Sequence, residues 1–176
     1  MSCSMRMPIP EYLQKTRINL GELTPGVSGI KETLALMVYL CRQGKRDYQL
    51  RKLALQITSN IANKAYMEEV RAIQEYVRDH IRYVKDIRDV ETVSTPEKTI
   101  EQGAGDCDDK ALLAATLLET IGHPTRFVAV GYQENVYCHV LMETKVGNNW
   151  VAVETTENVP LGWYPPNMPA RLVYHV

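Results

Sequence analysis

The chain has 176 residues, of which 45 % are hydrophobic and 23 % charged, and its net charge at neutral pH is −1. That length and balance suit one folded domain with a real core and exclude a disordered chain. The near-neutral charge offers no footprint for nucleic acid or an anionic membrane, and the longest apolar runs, TLALMVYLC and ALLAATLL, are far too short to span a bilayer.

Residues 1–28 read as irregular, punctuated by Pro8, Pro10 and Pro25. From Ile30 the apolar positions fall three and four apart through Leu34, Met37, Val38 and Cys41, which predicts a helix capped by Ser28 and stopped at Gly44. A second amphipathic helix follows through Leu50, Leu53, Ala54, Ile57 and Ile61. A third carries its stripe from Met67 through Val70, Ile73, Val77 and Ile81 to Val84. STPEKTIEQG predicts one more short helix, with Thr95 as cap and Pro96 in the first helical position.

Gly103 and Gly105 then interrupt the chain before DDKALLAATLLETIG, a helix with two acids in its first turn that ends at Gly122 and Pro124. Beyond Pro124 the period becomes two. TRFVAVGY, YCHVLMETK, NWVAVE and RLVYHV read as strands, and the four prolines of NVPLGWYPPNMP make that segment an extended surface wrap. Helices first and an antiparallel sheet second predict an α+β fold. The expected organisation is one domain over 1–176: a helical extension (1–64), a core (65–160), and a wrap with the last strand (161–176).

The four cysteines, at positions 3, 41, 107 and 138, form no C-x-x-C pair, and the opening decapeptide lacks the apolar stretch of a secretory signal. Free thiols in a reducing cytoplasm are therefore expected. Cys107 stands apart, because it begins a helix, where unpaired backbone N–H groups favour a thiolate. Asp106, Asp108 and Asp109 cap that helix well, but their charge opposes the thiolate, so a nucleophilic Cys107 needs an imidazolium nearby.

His80 falls late in a surface helix, His123 in a helix-ending turn, and His175 beside the last residue. His139 lies within an alternating strand and asks for a polar partner. TKVGNNWVA reads as a hairpin, and a loop of even length pairs Lys145 with Trp150. Leu141 then faces Glu154, and His139 and Glu154 become diagonal neighbours on one face, about 7–8 Å apart at the backbone. An odd loop would separate them. These residues suggest three roles: Cys107 attacks, His139 moves the proton, and Glu154 orients the imidazole. The Cys107 N–H is one candidate oxyanion donor, with Gln102, Tyr83 and Ser94 as candidates for the second. A zinc site from Cys107, Cys138 and His139 is disfavoured, because adjacent strand residues point to opposite faces. Cys138 is expected to be a small core residue behind the sheet.

GAGDCDDKALLAATLLETIGHPTRFVAVG, followed by CHVLMETKVGNNWVAVETT, resembles the transglutaminase-like core, a branch of the papain-like cysteine enzymes. HIRYVKDIRDVETVSTPEKTIEQG resembles the run that precedes that core, and the resemblance covers residues 65–160. It implies a nucleophile-bearing helix packed on an antiparallel sheet. It also implies a Cys107–His139–Glu154 triad, with Trp150 just ahead of the acid. Two departures stand out: Glu154 replaces the usual Asp, and no tryptophan fills the oxyanion position of the animal enzymes. The GDCDDKA and GHPTRFVAVG variants resemble small phage and prophage proteins, which implies a host-cytoplasm or virion setting with phage structural proteins as partners. The expected activity is acyl transfer on protein or peptide amides, with hydrolysis favoured and no cofactor or metal. The alternative is a non-catalytic assembly module that keeps the fold.

Overall fold

The computed structural model describes residues 17–19, 27–85 and 92–176. The stripe beginning at Ile30 forms α1 (Val27–Gly44), which buries Leu34, Met37, Val38 and Cys41. It starts ahead of the expected cap: Ser28 lies within the helix and donates to Glu32 Oε1 (3.3 Å). α2 (Tyr48–Ile57) is capped by Asp47, whose carboxylate accepts from the Gln49 and Leu50 N–H groups, and it ends short of Ile61. α3 (Tyr66–His80) buries Val70, Ile73 and Val77 but stops before Val84, because Ile81 is extended.

Two short pairings have no counterpart in the hydrophobic pattern. β1 (Arg17–Asn19) pairs antiparallel with β3 (Thr92–Ser94), and β2 (Arg82–Tyr83) runs parallel to β4 (Ala104–Gly105). Two or three residues are too few to register a period. Between them α4 (Pro96–Gln102) begins as expected: the Thr95 hydroxyl accepts from the Lys98 N–H (3.3 Å), and Pro96 is the first helical residue.

α5 (Cys107–Thr120) is the axis of the molecule. Asp108 to Leu118 are all buried, and the helix has apolar residues on every side. A helix of that kind must be enclosed. α1, α2, α3 and α4 surround it, and the sheet lies against it through Phe127, Ala129, Val140 and Met142. That sheet joins β5 (Thr125–Gly131), β6 (His139–Val146), β7 (Asn149–Val153) and β8 (Ala170–His175), antiparallel in the order β7-β6-β5-β8.

Val128, Val130, Leu141 and Ala152 cluster on the other face, joined by Met168 and Val173. The segment 154–169 contains no strand or helix and carries the chain from β7 across to β8, at the opposite edge. Two contacts pin it: the Gly162 N–H donates to Ala152 O (2.8 Å), and the Tyr164 hydroxyl donates to Glu143. The class is α+β, with α5, which begins at Cys107, against an antiparallel sheet. No helix among the described residues is long and apolar enough to cross a membrane.

Candidate active site

The site starts at the cap of α5. The Asp106 carboxylate accepts from the Asp108 and Asp109 N–H groups (both 3.1 Å). Gly105 serves this turn through space. Its backbone is not left-handed, but a Cβ there would lie 2.6 Å from Asp109 Cβ.

Cys107 is partly buried, and its thiol lies 3.4 Å from Asp108 Oδ1. Burial pushes the thiol well above its ordinary pKa, and the Asp108 and Asp106 carboxylates push it further. A backbone hydrogen bond from Val140 acts in the opposite sense. These surroundings favour the thiol over the thiolate. Val140 is the second residue of β6 and follows His139 directly in the chain.

The hairpin register is the even one. Val146 pairs with Asn149 and Lys145 with Trp150 around the loop Gly147–Asn148, and the ladder continues to Met142 and Val153. One step further, His139 Nε2 and Glu154 Oε2 meet at 2.7 Å. The other carboxylate oxygen accepts from the Thr156 N–H and hydroxyl, both at 2.7 Å. Burial alone would raise the Glu154 carboxyl. The His139 hydrogen bond and charge, with the two Thr156 donors, outweigh it and hold the group below its usual range. Gln74, buried in α3, fixes the segment from behind by donating to Glu154 O (2.9 Å) and Val159 O (3.2 Å).

With Nε2 committed to Glu154, His139 keeps Nδ1 for proton exchange. The entry of β6 is irregular at this point. The ladder aligns Val130 with His139, yet the Cys138 N–H donates to Val130 O (3.0 Å), so two residues oppose one, as in a β-bulge. Cys138 precedes β6 and is exposed, which corrects the expectation of a core residue behind the sheet. The alternation invoked there does not extend into the connecting loop.

The three oxyanion candidates separate. Tyr83 pairs with Gly105, two residues before Cys107, and is partly exposed. Partial burial raises its phenol, and the nearby Asp106 and Asp108 carboxylates raise it further. Gln102 ends α4 and is exposed. Ser94 is buried, and its N–H donates to Asp109 Oδ1 (2.7 Å). Among the described residues no contact joins either of these two to Cys107.

The other histidines are engaged elsewhere: His123 with Glu69 (2.6 Å), His80 with Tyr76 O (3.0 Å), and His175 edge-on to Trp150. Gln74 and Thr156 were missed at the sequence level. Their signals were a polar residue on the apolar stripe of α3 and a hydroxyl two residues after an acid.

Residues 51–155, which include Cys107, His139 and Glu154, match the family model of the transglutaminase-like superfamily. A comparison with curated protein sequences found no match. The fold is similar to that of a candidate protease from Parabacteroides distasonis ATCC 8503, with a TM-score of 0.59 and 16 % identity over 78 % of this chain and 27 % of that one. It is also similar to a candidate cysteine protease from Cytophaga hutchinsonii, with a TM-score of 0.54 and 19 % identity over 87 % of this chain and 54 % of that one. The chain thus spans about a quarter of the first protein and about half of the second. A family match over more than half of the sequence, on this α+β fold, makes the chain a member of the transglutaminase-like superfamily.

Proposed function

We propose that the chain is a thiol acyl-transfer enzyme acting on amide bonds of proteins or peptides. The observation that supports the reading is the 2.7 Å contact between His139 Nε2 and the Glu154 carboxylate, and in this reading Nδ1 serves as the base for Cys107. As the sulfur attacks the carbonyl carbon, its proton passes to Nδ1. The C–O π pair moves onto oxygen, near the Cys107 N–H and the Tyr83 hydroxyl. Collapse breaks the C–N bond, and His139 returns the proton to the leaving amine. Water then attacks the thioester, again with His139 as base, and releases the acid and the thiol. Hydrolysis is favoured over transfer to an amine because water needs no second binding site.

The experiment is iodoacetamide labelling at neutral pH, read residue by residue by mass spectrometry in wild type and His139→Ala. Cys107 labelling is expected to fall at least about tenfold in the variant, while exposed Cys138 keeps its rate. Equal Cys107 rates in the two proteins would remove the base from the mechanism. A second reading, a non-catalytic binding module, is favoured by the surroundings of the sulfur: Cys107 is partly buried with its thiol 3.4 Å from Asp108 Oδ1, and burial and the carboxylates favour the thiol over the thiolate. Equal rates would favour that reading.

A further inference from the structure

Lys110, one turn into α5 from Cys107, has no part in the steps above, yet only 1 % of it is exposed. Its ammonium donates to Ile81 O (2.5 Å) and Arg78 O (3.3 Å). Arg78 belongs to the last turn of α3 and Ile81 is its C-cap, so the cation sits where that helix leaves carbonyls unpaired and its dipole is negative. Immediately after Ile81 the Arg82 and Val84 N–H groups donate to Gly103 O (2.9 Å) and Gly105 O (3.0 Å), which builds the β2–β4 pair. One strand of that pair leads into the Cys107 turn and the other carries Tyr83, opposite Gly105. Lys110 joins the two from beneath.

The charged groups facing Lys110 are Arg78 and Asp79 from α3 and Glu154 from the segment after β7. Burial pulls the amine down to about 8, while Glu154 and Asp79 favour its charged form and Arg78 opposes it. Packing alone does not call for a cation here. Methionine has similar length, and burying an ammonium carries a desolvation cost that two carbonyls offset only in part.

We propose that Lys110 is a positioning residue for acyl transfer at Cys107: it ties the Tyr83 strand to the first turn of α5 and stands as a fixed cation near the Glu154 carboxylate. This rests on the thiol reading given above. Lys110 transfers no proton in the reaction and makes no bond to substrate.

The test uses Lys110→Met and Lys110→Gln, with iodoacetamide labelling followed across pH. Cys138, which is exposed, reports on the reagent, and Cys41, which is fully buried, reports on unfolding. In both variants Cys107 labelling at neutral pH is expected to fall about tenfold, the equivalent of one pKa unit. The profile should move to higher pH with Cys138 unchanged and Cys41 silent. A wild-type profile in either folded variant overturns the proposal. So does a loss that appears only together with Cys41 labelling in both variants, since Lys110 would then be a packing residue. Failure of the thiol reading itself looks different: wild-type Cys107 would already label as slowly as in His139→Ala, which removes both.

Discussion

Glu154 has both carboxylate oxygens committed, one to His139 Nε2 and the other to Thr156. Glu154→Gln leaves the shape nearly unchanged and removes the charge that supports an imidazolium. Peptide-amide turnover is expected to fall about a hundredfold or more, with little change in thermal stability. The pH dependence has a definite sign. The carboxyl titrates lower in the folded chain than in the unfolded one, so its contribution is complete above the unfolded value and disappears as pH falls through the folded value. The acid limb of the wild-type activity profile should carry that loss, and Glu154→Gln should lack it. Cys41 is the counterexample among the thiols: burial lifts it to about 12, so its labelling should stay negligible until the protein unfolds.

At the scale of elements, the decisive unit is the loop between β5 and β6 that delivers His139. A Cβ on Gly131 would lie 1.6 Å from Val136 O and 2.7 Å from Val136 C, both backbone atoms. Gly131→Ala must therefore push the loop open at the start of β6. Urea denaturation should show a loss of about 2 kcal/mol or more, and His139-dependent labelling of Cys107 should fall with it. An unchanged denaturation midpoint would show that the loop yields freely. The helices and strands themselves were legible as periods: the stripes of α1 to α3 and the Thr95–Pro96 start of α4. The β2–β4 pair and the irregular entry of β6 were not, because neither extends over enough residues to impose a pattern.

At the scale of the whole molecule, the return of the chain from β7 to β8 is fastened by Glu143, whose side chain is fully buried in β6. It accepts from Arg126 Nε of β5 (2.5 Å), from Arg171 of β8 and from the Tyr164 hydroxyl in the crossing segment. Burial would raise its carboxyl, and the hydrogen bonds from Tyr164, Arg126 and Arg171 hold it below the ordinary range. Glu143→Gln leaves two guanidinium groups short of their anion. It should cost about 3 kcal/mol at neutral pH, near the lower end for a broken buried pair because both arginines keep some solvent contact. The gap between variant and wild type should narrow as pH falls through the folded carboxyl's range, because the wild type then loses the same interaction. A constant gap down to acid unfolding would mean that the carboxylate charge contributes nothing.

The sequence by itself determined the longer elements, the α+β class and the nomination of Cys107, His139 and Glu154. All of these rest on short-range periods and on the resemblance of two motif stretches. Only the tertiary structure decided that the β6–β7 loop is even, that Tyr83, rather than Gln102 or Ser94, lies beside the Cys107 turn, that Gln74 and Lys110 hydrogen-bond to backbone carbonyls of Glu154 and of the α3 C-terminus, and that Cys138 is exposed. The Gln74 and Lys110 contacts join residues far apart in the chain and are made by single buried polar groups inside otherwise apolar stripes. Hydrophobic periodicity marks which face is buried, but it says nothing about which distant carbonyl or carboxylate a buried polar group will meet.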